Sequence, residues 1–210
     1  MNRDRLSTPF DVHATLLDIV NPPKDWSTEQ KATTRSLSLF RPIPESRTCD
    51  QAGIPVHFCT CLDWRNAMLS ANDIELSNEL TRGVVSALRA ETVHERASCA
   101  PLSLRRLEYA KKLVPNESVL KYRTVLDEDG LASLVHYQIK FATKPGKGVY
   151  EVTVVYRANE RTLTVDLASV SHISQYGDSP HCVIDKNYFL AKYCVCRDRI
   201  GDETFMEYEE

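Results

Sequence analysis

The chain has 210 residues, 42% of them hydrophobic, and 26 Lys and Arg against 29 Asp and Glu leave a formal net charge of -3. That much apolar material supports a globular protein with one ordinary core or two small ones. Charge this evenly balanced, with no basic block to track a phosphate backbone, argues against a nucleic-acid partner, and the lack of a run of about 18 apolar residues argues against an α-helical membrane span.

The first element is announced by Thr8, a good N-cap, followed by Pro9 at the first helical position and by Asp11 where a capping box places its acidic residue. Val12, Leu16, Ile19 and Val20 then fall on one face at helical spacing until Pro22-Pro23 stops the helix. A polar loop, residues 24–35, leads into Ser36 to Arg41, where Leu37 and Leu39 alternate with Ser36 and Ser38 and predict a short strand before Pro42. Asn72 and Glu75 form a capping pair for a longer amphipathic helix in which Leu76, Leu80, Val84 and Leu88 recur every four residues toward Glu95.

Cys99 and Pro101 close that helix, and a strand is expected from Leu102 to Tyr109. Val135, Tyr137, Ile139 and Phe141 alternate with His136, Gln138 and Lys140, so this run is a half-buried strand. Pro145-Gly146 makes a turn, Tyr150 to Tyr156 alternates again, Ala158 to Glu160 turns, and Leu163, Val165 and Leu167 supply a third strand of an antiparallel meander. Tyr188 to Cys196 reads as an edge strand that returns its two cysteines toward the others.

Two stretches carry a family resemblance. TPFDVHATLLDIV and SLFRPIPESRTCDQAGIP, followed by HFCTC, resemble a sulfatase-like family of animal proteins, abundant in nematodes, within the alkaline-phosphatase superfamily, and together they cover about the first third of the chain. That family has no established substrate. The resemblance implies a fold in two parts: an α/β remnant at residues 1–65, the end of an alkaline-phosphatase-like core, and an α+β subdomain at residues 66–210 with a helix and a small antiparallel sheet. It implies that the partner is a missing N-terminal catalytic core of the same protein, and that a full-length parent uses a divalent metal to hydrolyse a sulfate or phosphate ester.

Those catalytic motifs would lie upstream. This chain shows no Asp-His-Gly element, no nucleophile at a strand end and no Gly-rich phosphate cradle, so no catalytic residue, metal ligand or cofactor is assigned to it and the chain alone should not hydrolyse esters. The rival reading is a stand-alone, non-catalytic extracellular binding or structural module. Leu16, Ile19, Val20, Leu37 and Leu39 separate the two, because a module must bury them while a fragment leaves them exposed.

Cys49, Cys59, Cys61, Cys99, Cys182, Cys194 and Cys196 form an early and a late cluster and read as a disulfide framework, hence an extracellular or lumenal protein. Seven is odd, so at least one is free or pairs outside the chain. MNRDRLSTPF has no apolar signal core, so an export signal is expected in a missing N-terminal part. The single-residue gaps of Cys59-Cys61 and Cys194-Cys196 suit zinc poorly, and a bridge from one of these pairs to the other is one candidate among many connectivities.

Asn116, in Asn116-Glu117-Ser118, is a glycosylation acceptor in a secreted protein. His57 and Arg47, together with Arg41, are the candidates for lining a substrate cleft and meeting an anionic group. His13 reads as a polar-face residue two positions from the capping Asp11. Asp166, Ser171 and His172 read as surface rather than as a triad, and Cys182 beside His181 as a disulfide partner rather than a nucleophile.

Overall fold

The computed structural model describes residues 2–114, 134–174 and 177–200, which divide into two compact units, the first taking in Met1–Asp63 and the second beginning at Trp64. The first unit is built on helix α1, Pro9–Val20, with Thr8 as N-cap; the Thr8 N–H donates to Asp11 Oδ2 at 2.6 Å, the acidic half of the predicted capping box. Beyond α1 the chain of this unit is irregular and held by side chains. Asn2 donates to the carbonyls of Leu39 and Arg41 and accepts from Ile43 N, pinning that loop from the N-terminal side.

The strand expected at Ser36 to Arg41 does not form. Its N–H groups go to side chains instead: Leu37 N to Asp11 Oδ1 at 2.7 Å, Ser38 N to Gln30 Oε1 at 2.6 Å and Leu39 N to Thr15 Oγ1 at 2.8 Å. With these donors satisfied, no neighbouring strand is needed. Leu37, Ile43, Cys49 and Ala52 are buried apolar groups of this unit. The apolar stripe of α1 is not: Val12, Leu16, Ile19 and Val20 are 50%, 56%, 59% and 74% exposed, while Asp11 on the same helix is fully buried.

The second unit is an α+β arrangement. A five-stranded antiparallel meander, in the order β1 to β5, comprises β1 Trp64–Asn66, β2 Ser103–Leu113, β3 Leu134–Lys144, β4 Val149–Arg157 and β5 Thr162–His172. The alternation in β3 and β4 puts Ile139 opposite Val152 and, one strand over, Val152 opposite Val170, so the inward row is apolar across the sheet. Strand β1 was not expected from the sequence, being only three residues long.

Helix α2, Ala71–Glu91, closes the core with Leu80, Val84 and Leu88, which cluster with Ala110, Ile139, Val152 and Val154. Each such side chain contributes about 1.5 to 3 kcal/mol on burial. Its cap is Ser70 with Asp73, two residues before the predicted Asn72 and Glu75: Asp73 N donates to Ser70 Oγ and Ser70 N returns to the Asp73 carboxylate. Gly83 is a point of close approach, since a Cβ there would stand 2.6 Å from Leu163 Cδ2.

The expected edge strand at Tyr188 to Cys196 is also corrected. The end of the chain forms two short helices, α3 His181–Ile184 and α4 Tyr188–Ala191, the latter capped by the Asn187 side chain, and only Cys196 makes a single antiparallel bridge, to Cys99. Two disulfides hold this end: Cys99–Cys194 ties it to the segment after α2, and Cys182–Cys196 closes it on itself. The first spans 95 residues of sequence, and a closed loop of about that size stabilises by about 4.7 kcal/mol in the chain-entropy model.

Candidate functional site

The early cysteine loop and the residues that anchor it to α1 are the region the sequence singles out. Arg47 enters from the loop and grips Asp11 bidentately, Nη1 to Oδ2 at 2.8 Å and Nη2 to Oδ1 at 3.1 Å, with both side chains fully removed from solvent. Its two terminal nitrogens also reach backbone carbonyls, Nη1 to Leu6 O at 3.1 Å and Nη2 to Arg35 O at 2.6 Å, while Nε is buried without a hydrogen-bond partner. Burial by itself pushes the Asp11 carboxyl up, but the hydrogen bonds from Arg47, Leu37 N and Thr8 N outweigh it and hold the group below the ordinary carboxylate value. Arg47 therefore clamps the loop to the helix rather than lining a cleft.

His57 lies in a 3-10 turn, Val56–Phe58, buried, with its ring edge-on to Phe58 at 4.6 Å. Past that turn Cys59 bonds Cys49, and Cys61 remains a free, exposed thiol. The three sulfurs lie within 4.8 Å of one another. The candidate bridge from this loop to Cys194 or Cys196 is not made: each cluster pairs within its own unit.

Arg41 does border a depression. An open cleft of about 350 Å³ lies between the loop carrying Trp26 and Glu29 and the Arg41-Pro42 turn. The Arg41 guanidinium is already partly engaged, donating to Thr28 O at 3.3 Å and standing 3.7 Å from Asp18 Oδ2. Trp26 packs edge-on against Phe40, with centroids 5.6 Å apart. Sequence reading missed this cleft, because the loop of residues 24–35 has no periodic pattern to mark it.

In the second unit the residues that imitate a triad in sequence stay apart. Asp166 accepts from Ala168 N and Ser169 Oγ, both at 2.9 Å, as a local turn brace. His172, expected at the surface, is instead half-buried against Tyr150, their rings stacked at 4.4 Å. His181 faces Asp198 at 3.0 Å and the Asp178 carbonyl at 3.0 Å, away from base duty toward Cys182, whose sulfur is bonded to Cys196. Two further groupings bring potential ligand atoms together, Cys99 with Cys182 and Cys194, and His181 with Cys196 and Asp198, yet every one of these sulfurs is held in a disulfide and is no thiolate donor. Asn116 lies outside the described residues.

A family model described as a protein of unknown function, DUF229, matches residues 1–108. The chain belongs to the DUF229 family. The match takes in Met1–Asp63 of the first unit and the cap, helix and part of the first long strand of the second, so the Asp11–Arg47 clamp and the Cys49–Cys59 loop are DUF229 territory, while the Cys182–Cys196 knot lies beyond it. No curated protein and no solved structure matches this DUF229 chain at a significant level. Among its described residues no helix is long and apolar enough to cross a membrane, and three disulfides are of the kind that persist in an oxidising compartment.

Proposed function

We propose that this chain is the C-terminal part of a secreted, sulfatase-like protein of alkaline-phosphatase type, in which α1 closes the catalytic core and its apolar face is covered by residues N-terminal to it. The observation that carries the reading is the orientation of α1: the helix is tethered through a buried Asp11 and turns Val12, Leu16, Ile19 and Val20 outward, although Leu37, from the same discriminating set, is buried. A helix anchored by its polar side and open on its apolar side is built to be covered. The resemblance of TPFDVHATLLDIV and of the HFCTC loop to sulfatase-like proteins supports the same conclusion.

In such a parent a divalent metal, held by groups outside this chain, activates the nucleophile and neutralises a sulfate or phosphate ester. The residues of this chain position the loop beside that core and brace it with the Cys49–Cys59 disulfide. Secretion agrees with the three disulfides, and glycosylation at Asn116 would accompany it.

The test is the mass of the native protein in its source tissue, read under reducing conditions with an antibody to residues 108–166. A band far above the 23.8 kDa of this chain is expected, and that species should hydrolyse an aryl sulfate or aryl phosphate with added divalent metal. A band at 23.8 kDa overturns the reading and leaves a non-catalytic module.

A further inference from the structure

We infer that Cys49, Cys59 and Cys61 form an intramolecular thiol–disulfide exchange site, in which the bridge migrates between Cys49–Cys59 and Cys49–Cys61. The three sulfurs lie within 4.8 Å of one another, two of them bonded and the third a thiol open to solvent. A thiolate held beside a disulfide is the elementary reactant pair of exchange.

The step balances without an outside oxidant or reductant. The Cys61 thiolate attacks Cys49 Sγ, the Cys49–Cys61 bond forms as the Cys49–Cys59 bond breaks, and the electron pair leaves on Cys59 Sγ, which takes up the proton. Attack on Cys59 instead would close a bridge over the single residue Thr60, whereas attack on Cys49 replaces a separation of 10 residues by one of 61 − 49 = 12.

The backbone is arranged to survive the migration. Cys49 sits in a turn held by Ala52 N to Thr48 O at 3.0 Å, Gly53 N to Asp50 O at 2.8 Å and Ile54 N to Cys49 O at 2.8 Å, none of which depends on its sulfur. Cys59 leaves from the end of the 3-10 turn, its N–H on Val56 O. Migration exchanges an exposed thiol for one on a residue only 6% exposed, so the loop shifts between a form that presents a nucleophile and one that shelters it.

The test holds the native protein at pH 6.5 and 8.5 without added thiol, quenches timed aliquots in acid, unfolds them in mildly acidic guanidinium chloride so that a sheltered thiol is reached, labels free thiols with N-ethylmaleimide and places the label by fragment-ion mass spectrometry. Label is expected on both Cys61 and Cys59, with the Cys59 share growing about tenfold or more faster at the higher pH, as thiolate attack requires. Label confined to Cys61 at both pH values overturns the proposal. Cys61→Ser should take no label, since its Cys49–Cys59 bond has no internal attacker; label on that variant would show that the bridge is absent and would equally overturn it.

Discussion

Arg47 and Asp11, 36 residues apart in sequence, form a two-bond ion pair with neither side chain exposed. Removing one partner leaves the other charge buried alone, so Arg47→Met should destabilise the first unit by about 3 to 5 kcal/mol, read as a drop in the urea midpoint. Asp11→Leu combined with Arg47→Met should recover only part of that loss, because no unpaired charge then remains but the buried Thr8 and Leu37 N–H groups lose their acceptor. The pair also sets a pH signature. The carboxyl is depressed below 3.8 in the folded state, so its stabilisation is complete above that value and is lost as pH falls through the folded one; the acid limb of a pH titration should flatten in Asp11→Asn.

His172 works in the opposite unit. Burial against Tyr150 lowers its pKa from 6.5, an effect the hydrogen bond with the Lys192 backbone only partly offsets. The unfolded chain therefore takes up the proton first, and stability of the second unit should hold above 6.5 and decline as pH falls below it toward the folded value. His172→Phe keeps a ring on Tyr150 and removes the proton. Its urea midpoint should change less than that of the parent between pH 7.5 and 5.5, and equal changes would contradict this account.

Gly146 and Gly177 separate two costs of a side chain. Both have positive φ, at 83° and 86°, so alanine at either pays a left-handed backbone penalty of about 1 to 2 kcal/mol. At Gly146 the new Cβ would also lie 2.6 Å from Val195 Cγ2, while at Gly177 it meets nothing within 4 Å. Gly146→Ala should thus cost about 1 to 3 kcal/mol more than Gly177→Ala by thermal melting.

The outer face of α1 predicts a dissociation between stability and association. Leu16 and Ile19 are more than half exposed, so Leu16→Ser with Ile19→Ser should change the stability of the isolated chain by no more than about 0.5 kcal/mol per site. Self-association of that chain in sedimentation velocity should fall, because the apolar patch is broken. A large loss of stability instead would mean that these residues are packed in the folded chain.

Much of the second unit was legible because its side chains obey simple periods. Ile139 and Val152 alternate with polar neighbours along strands, and Leu80, Val84 and Leu88 recur at helical spacing, so strand and helix follow from which faces must leave water. The cap of α2 was misplaced by two residues because Ser70-Asp73 and Asn72-Glu75 both satisfy the same local rule, and the choice depends on where the helix axis must start to reach the sheet. Tyr188 to Cys196 is an apolar run of strand length, but Asn187 caps a helical turn there, and the two disulfides hold the chain against Cys99 and Cys182 rather than along a sheet edge.

In the first unit the sequence alone determined that α1 exists and that Asp11 caps it, and for the whole chain that at least one of the seven cysteines finds no partner within it, since each of these is a matter of near neighbours or of counting. Which cysteines pair depends on Cα atoms reaching bonding distance, which no spacing encodes. Whether Ser36 to Arg41 is a strand depends on which acceptors meet its N–H groups, and Asp11, Gln30 and Thr15 arrive from elsewhere in the chain to take that place. An amphipathic helix read in isolation should bury its apolar face; the tertiary structure buries Asp11 instead, because Arg47 supplies the opposite charge and Thr8 N and Leu37 N the further hydrogen bonds that make a buried carboxylate stable.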